Sequence, residues 1–289
     1  GVAPRGAAGC TLQGGVAKLT EALARSLGNR LLVNARITSI TQEPATFEDP
    51  WEAVADLARH PMVWRVDGQS PKASLTEDLC WRARRLVLAL PPRAASRLLL
   101  PVDRTLSERL ASISSESVVS LSHAWRRQDV DHRLDAGALL VPFSESRVHL
   151  KTWFSSTIRP TCCGEGLVLL RTLLGGDRNP RVVDWPEEEL WGAVMQEVAP
   201  VLGLQGQPVW HSIVRQRDAL PRYDLDHPAR REHIAHMLAA LPRLSLLGAW
   251  NRGHLCETLV ADARSLAREH AQSESREPRI PPALRVRTS

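Results

Sequence analysis

Aromatic side chains are scarce in this chain. Of 289 residues only nine Trp, three Phe and one Tyr are aromatic, so aliphatic packing must build most of any core. Long apolar runs are missing as well. None approaches the roughly 18 residues of a membrane-crossing helix, and no signal peptide is visible. The five cysteines (Cys10, Cys80, Cys162, Cys163 and Cys256) are odd in number and never take a CxxC spacing. That pattern suggests neither a disulfide frame nor a zinc site and fits a reducing compartment. A Rossmann glycine fingerprint is absent: Gly164/Gly166 and Gly175-Gly176 lack the strand-to-helix setting and the acidic residue about 20 positions on. Hydrolase signatures fail too. There is no HExxH and no GxSxG elbow, and Cys162 and Cys163 have no context that would make either a catalytic thiolate. Asp224, Asp226, His227, His233 and His236 crowd together without metal-hydrolase spacing. No metal site and no catalytic side chain is assigned.

What is present points to a folded protein of one large or two intimately joined domains. At 43% hydrophobic residues the chain can bury a sizeable core. Lys and Arg exceed Asp and Glu by 37 − 32, a formal +5 that is spread thinly. Such an excess suits weak attraction to anionic lipid or to an acidic substrate, and arginines such as Arg82, Arg84 and Arg85 read as solvated. The stretch after Glu274 is rich in Arg and Pro without periodicity and is expected to be disordered. The chain opens on Gly directly ahead of a helix motif, which reads as a cut piece or a late start.

The pattern gives a mixed succession of elements. Gly14-Gly15 precede an amphipathic helix bearing Leu19, Leu23 and Leu27, with Gly28 as its stop. Residues 30–40 read as strand. Residues 43–62, bracketed by prolines, read as an insertion holding a short helix at 51–58. Residues 63–66 and 86–90 look like strands of one small sheet, and 93–100 and 106–113 like helices. Runs at 118–125, 138–141, 148–154 and 167–174 suggest a mixed sheet. Pro186 with three glutamates behind it launches a helix over 187–201. A strand at 209–214, a helix at 229–240 and a strand at 244–247 follow. The last strand ends at Gly248, turns through a loop at Gly253, and leads into a helix-like stretch with Leu255, Leu259, Val260 and Ala263.

Several segments recur here in a family order. They are Gly14-Gly15-Val16 with Leu19 and Leu23, Arg36-Ile37-Thr38-Ser39-Ile40, and Leu86-Val87-Leu88-Ala89-Leu90-Pro91. WFSSTIRP from Trp153, Leu174-Gly175-Gly176, Leu220-Pro221-Arg222-Tyr223 with His227, and GAWNRGHLCETLVADARSLA from Gly248 complete the set. Together they resemble the oxygen-dependent protoporphyrinogen oxidases, within the wider amine-oxidase-like flavoprotein superfamily. The resemblance implies an α/β (α+β) fold: a partial FAD-binding domain with an inserted mixed-sheet substrate domain, the N-terminal Rossmann half being absent. It divides the chain into an FAD-side portion (1–115), a substrate-side sheet domain (116–221), a helix plus flavin-contacting segment (222–272) and a tail (273–289).

The same resemblance implies FAD as cofactor, with contacts at Gly14, Gly15, Ile37, Gln216, Gly248, Gly253, His254, Leu255 and Cys256. His254 stands where the family has Val, Ala263 where it has Gly, and a buried His at 254 would need a polar partner. Arg159 replaces a Phe that packs on the substrate. It is either a propionate-pairing guanidinium or a solvated loop arginine. Leu173 matches an apolar wall of the substrate site or is ordinary core. The implied activity is oxidation of protoporphyrinogen IX to protoporphyrin IX in haem biosynthesis, with O2 as acceptor. Three alternatives stand beside it: coproporphyrinogen III as substrate, a non-catalytic remnant or subunit needing a partner with the Rossmann half, and an amine-oxidase-like enzyme for a polyamine or carotenoid. Expected partners are the porphyrinogen and O2. Nucleic acid is not among them. A cytoplasmic location is expected, with peripheral membrane contact and a homo-oligomer left open.

Overall fold

The computed structural model of the chain describes residue 12 and residues 14–45, 62–72, 75–241 and 243–276. The expected helix at 51–58, Cys10 and the tail beyond 276 lie outside the described residues. Gly14 and Gly15 hold φ of +84° and +89°, a region that glycine enters without steric cost. Behind them α1 (Ala17–Leu27) runs to Gly28. The stripe of Leu19, Leu23 and Leu27 forms, yet no residue of α1 is buried.

The next strands, β1 (Arg36–Pro44), β2 (Met62–Lys72) and β3 (Leu75–Ala83), make an antiparallel sheet in that order. A 3-10 turn at Gly28–Arg30 and a positive φ at Asn34 keep residues 28–35 out of the strand expected from residue 30. The next strand, β4 (Leu86–Ala89), does not join this sheet. It pairs in parallel with β10 (Leu244–Leu247), so the expectation that 63–66 and 86–90 share a sheet is corrected. A short, wholly apolar strand is the parallel type, but apolarity does not name its neighbour.

Helix α2 (Pro92–Leu99) starts at the double proline, and α3 (Arg104–Ala111) is capped by Asp103, whose carboxylate accepts the Leu106 N–H at 2.9 Å. Around them one core gathers Ile40, Trp64, Leu88, Leu99, Leu110, Ile234, Leu246 and Trp250. It joins the two ends of the described chain.

Between those ends lie β5 (Ser115–Arg126), β6 (Ala138–Leu140), β7 (His149–Phe154), α4 (Ser155–Ile158), β8 (Leu167–Gly175), α5 (Glu187–Glu197), α6 (Ala199–Leu202) and β9 (Trp210–Pro221). The strands form one sheet, β6-β7-β8-β5-β9, with every pair antiparallel. The mixed-sheet expectation is corrected on this point: alternation marks a strand but not its direction. One face buries Val119, Leu121, Trp125, Leu170 and Leu174 against Leu190, Val194 and Leu202 of α5 and α6. The opposite face is open along its edge strands, with Leu140, Trp210 and Val214 more than half exposed, while Val118, Ser120 and Ala124 of β5 are buried on it. After β9 the chain forms α7 (His227–Ala239), returns through β10, and ends in α8 (Ala249–Arg252) and α9 (Cys256–Arg276). No helix among the described residues is long and apolar enough to cross a membrane.

Candidate functional site: a cavity at the carboxyl ends of two parallel strands

Parallel strands collect ligands beyond their carboxyl ends. Here β4 and β10 run in register, Leu86 opposite Leu244 and Ala89 opposite Leu247. Just past both ends is a cavity of about 380 Å³, within the usual range for a ligand-sized site. Ala89 to Pro92 line one wall and Leu247 to Trp250 a second. Leu259, Asp262 and Ala263 of α9 form a third, and Ala219 and Pro221 close it from the antiparallel sheet. A larger cavity of about 820 Å³ runs between β1 and β4, past Ile37, Val66 and Val87, and shares Ala89 and Leu90 with the first.

Gly248 is required by space. A Cβ there would stand 2.7 Å from Trp250 Cδ1 and Nε1 and 3.1 Å from the Leu90 carbonyl oxygen. Trp250 is 3% exposed and its indole N–H has no hydrogen-bond partner. Asp262 is 7% exposed. Its Oδ1 accepts from Arg252 Nη1 at 3.1 Å, while Oδ2 is buried and unpartnered. Tyr223 donates its hydroxyl to the Ala249 carbonyl at 2.7 Å, and burial raises its phenol pKa. Its ring stands edge-on to His227 at 5.1 Å. Glu116, opposite Leu220 on β9, has its carboxyl pushed up by burial and by Asp177, with Arg222 opposing. No group of three or more His, Cys, Asp or Glu among the described residues is placed to hold a metal ion.

The expected cofactor residues divide between these places. Gly248 lines the first cavity and Ile37 the second. Gly14, Gly15, Gln216, Gly253, His254, Leu255 and Cys256 line neither. His254 is exposed, not buried, and stacks near Tyr223 with ring centroids 6.4 Å apart, so the cost expected of a buried imidazole does not arise. Leu255 is 62% exposed and Cys256 is exposed. Gln216 is exposed opposite Val118.

On the substrate side Leu173 is paired with Lys151 on β7 and Ser120 on β5, and belongs to the open face. Arg159 follows α4 at the far end of the sheet, beside the start of β8. Six residues of strand separate the Leu167 end from Leu173, roughly 20 Å at 3.3 Å per residue. Arg159 and Leu173 are therefore not brought together. Two other cations lie closer. Lys151 Nζ stands 4.5 Å and Arg171 Cζ 5.2 Å from the centre of the Trp153 ring, within cation–π reach. Arg171 Nε also donates to Ser120 Oγ at 2.9 Å. Neither cation has a carboxylate partner among the described residues.

Asp262 was missed by sequence reasoning, although a signal exists: it interrupts the apolar spacing of Leu259, Ala263 and Leu266, where an acid is out of place. Arg171 gave a similar signal, as a charge set among the leucines of β8. Trp250 gave none.

A cavity past two parallel strands, closed on one side by an antiparallel sheet, is the arrangement in which α/β folds bind ligands. The chain belongs to the flavin-containing amine oxidoreductase family, whose profile matches residues 4–273. The members of that family are flavin-containing oxidoreductases, and the cofactor of the family is FAD. It is 26% identical over 264 residues to the coproporphyrinogen III oxidase of Propionibacterium freudenreichii subsp. freudenreichii, covering 90% of this chain and 44% of that protein. To the mitochondrial protoporphyrinogen oxidase of Nicotiana tabacum it is 25% identical over 246 residues, 81% of this chain and 45% of the relative. The chain thus spans about half the length of the curated relatives it matches. A structure from Exiguobacterium sp. 255-15, assigned as a protoporphyrinogen oxidase, superposes with a TM-score of 0.68 at 19% identity, over 91% of this chain and 52% of that one. A putrescine oxidase variant gives 0.60 at 16% identity, over 90% and 53%. At these identities the structural likeness establishes the fold alone.

Proposed function

We propose that this chain supplies the flavin-ring side and the substrate side of an FAD-dependent porphyrinogen oxidase of haem biosynthesis, with protoporphyrinogen IX as substrate and O2 as acceptor. The observation that carries the reading is the cavity at the ends of β4 and β10, reached by β9 of the sheet whose bare face bears Leu173, Lys151, Trp153 and Arg171. The lining is consistent with a flat apolar ring system: leucine, proline, alanine and glycine make up most of the wall, and Gly248 lets Trp250 pack against the strand ends where any side chain would clash. When bound, FAD supplies a two-electron acceptor that O2 regenerates. The chain's own part is to exclude water with the apolar walls and to hold the macrocycle. Lys151 and Arg171 pair its propionates, the role the sequence first offered to Arg159, while Leu173 and Trp153 lie under the ring. Coproporphyrinogen III is the neighbouring reading, favoured by the Propionibacterium relative's name. The two differ in carboxylate count, not in ring chemistry. Porphyrin fluorescence appearing when flavin-loaded, N-terminally completed protein receives protoporphyrinogen IX and O2 tests the proposal. Flavin bound without porphyrin formed from either porphyrinogen overturns it.

One observation favours a second reading, in which the chain acts only with a further segment carrying the nucleotide-binding half. Among the described residues β4 is paired on one side alone, by β10, whereas parallel sheets ordinarily have more strands and both faces covered. Val87 is 41% exposed beside the larger cavity. A colourless but folded purified chain that takes up FAD once the missing half is supplied supports this reading.

A further inference from the structure

Cys162 and Cys163 are consecutive, and they lie in the turn that carries the chain from α4 into β8. The backbone fixes that turn: a 3-10 helix spans Pro160–Cys162, and the Cys162 N–H donates to the Arg159 carbonyl at 3.0 Å. Cys162 is exposed and Cys163 half-buried. Cys163 Sγ donates to the Leu167 carbonyl at 3.3 Å, a weak bond for a thiol and one that a ligand can replace. Beside it opens a cavity of about 450 Å³, lined by Ser156, Thr157, Pro160, Cys163 and Glu165 among others. Partial burial raises the Cys162 thiol pKa; Cys163 adds to this through charge and hydrogen bonding, and Arg159 opposes it. The two sulfurs thus sit close enough to feel one another, and Cys162 keeps its proton at neutral pH.

A direct disulfide suits such a pair poorly. Consecutive Cα atoms are about 3.8 Å apart, short of the roughly 4.4–6.8 Å that an unstrained bridge takes. A single soft atom set between the sulfurs relieves the mismatch, because it leaves them further apart than an S–S bond does, and soft centres are what sulfur prefers. Zinc asks for four ligands, and no third His, Cys, Asp or Glu among the described residues completes a metal set. A trivalent arsenic centre that already carries one carbon substituent needs two sulfurs and no more.

We propose that Cys162 and Cys163 form a dithiol site for a trivalent organoarsenical, with the organic group lying in the cavity beside Cys163. Two As–S bonds form as two As–O bonds break, and each departing hydroxyl takes a thiol proton and leaves as water. Arsenic stays trivalent and sulfur is not oxidised, so no oxidant or reductant enters. The site stands apart from the flavin and porphyrinogen reading and does not depend on it.

Phenylarsine oxide, hydrated in water to its dihydroxy form, is the probe, and intact mass of the purified, reduced chain is the readout. The wild-type chain should take up one equivalent and keep it in excess 2-mercaptoethanol, while 2,3-dimercaptopropanol strips it. Cys162→Ser and Cys163→Ser should each weaken retention roughly hundredfold or more, since the second bond then no longer forms within one molecule. Cys10→Ser, Cys80→Ser and Cys256→Ser should leave it unchanged. Loss of the arsenical from the wild-type chain to the monothiol overturns the site. So does retention by either serine variant of the pair, or a loss caused by any of the other three changes. The wild-type comparison of monothiol and dithiol needs no variant to fold.

Discussion

The indole N–H of Trp125 donates to Nδ1 of His123 across 2.7 Å. That contact decides which nitrogen of a histidine with no exposed surface carries the proton. Nε2 must then be the N–H, and it meets Thr172 Oγ1 at 2.9 Å. Thr172 continues to Thr152 at 2.9 Å, and Thr152 to His149 Nε2 at 2.9 Å. A line of hydrogen bonds thus crosses β5, β8 and β7 beneath α5. Burial, with some help from the nearby charge of His211, lowers the His123 pKa from 6.5 to about 3.

Acid should therefore weaken the fold in a defined window. Between about pH 6.5 and 3 the unfolded chain binds a proton at His123 that the folded chain refuses. Stability falls as pH drops through that range, by about 1.4 kcal/mol per unit for one proton. Burial also depresses the pKa of His149, and adds in the same direction. Urea midpoints measured from pH 7 to 4 should decline steeply in the wild type. His123→Gln should flatten the decline, and an unchanged slope would reject the assignment.

Gly248→Ala should damage both stability and flavin uptake. The new methyl meets the Trp250 ring and the Leu90 carbonyl, neither of which can yield without moving β4 or α8. A loss of about 1–3 kcal/mol is expected in denaturant titrations, as for other overpacked sites. Flavin retention after gel filtration should fall with it.

Arg171→Gln and Lys151→Gln should act on substrate binding. Both side chains flank Trp153 at the protein surface, so the loss of a propionate contact is softened by solvent. In flavin-loaded, completed protein, KM for a porphyrinogen should rise roughly three- to tenfold for each change while kcat holds. Arg159→Gln, at the other end of β8, should change KM little.

Val87→Asp should be silent in the chain alone and harmful in the complete protein. Its side chain is partly exposed beside the groove between β1 and β4, where a surface change ordinarily costs under about 0.5 kcal/mol. If a further segment covers that groove, as the second reading proposes, the same carboxylate is buried unpaired. Equal melting temperatures for the isolated chains, together with failed FAD loading of the completed variant, are the expected pair of results.

Local patterns carried much of the fold. The glycine pair before α1, the double proline before α2 and the glutamates after Pro186 each mark a helix start by backbone chemistry, and the structure keeps them. Pairing was less legible. Nothing within LVLA says that it prefers Ser245 and Leu246 to β2, because that choice depends on residues 158 positions away. The candidate site followed the same rule. Gly248 was found from its motif. Asp262 and Trp250 line one cavity only because β10, α8 and α9 fold around it. Arg171 becomes a neighbour of Lys151 through the register of β7 on β8, which a linear reading of WFSSTIRP could not supply.

An eleven-residue helix that hides none of its side chains takes little support from the body it is attached to. Its leucines therefore act as a gauge of occupancy on that flank. Trypsin should nick the bare chain early after Arg25 or Arg30, and whatever comes to rest on Leu19, Leu23 and Leu27 will announce itself by shielding those bonds.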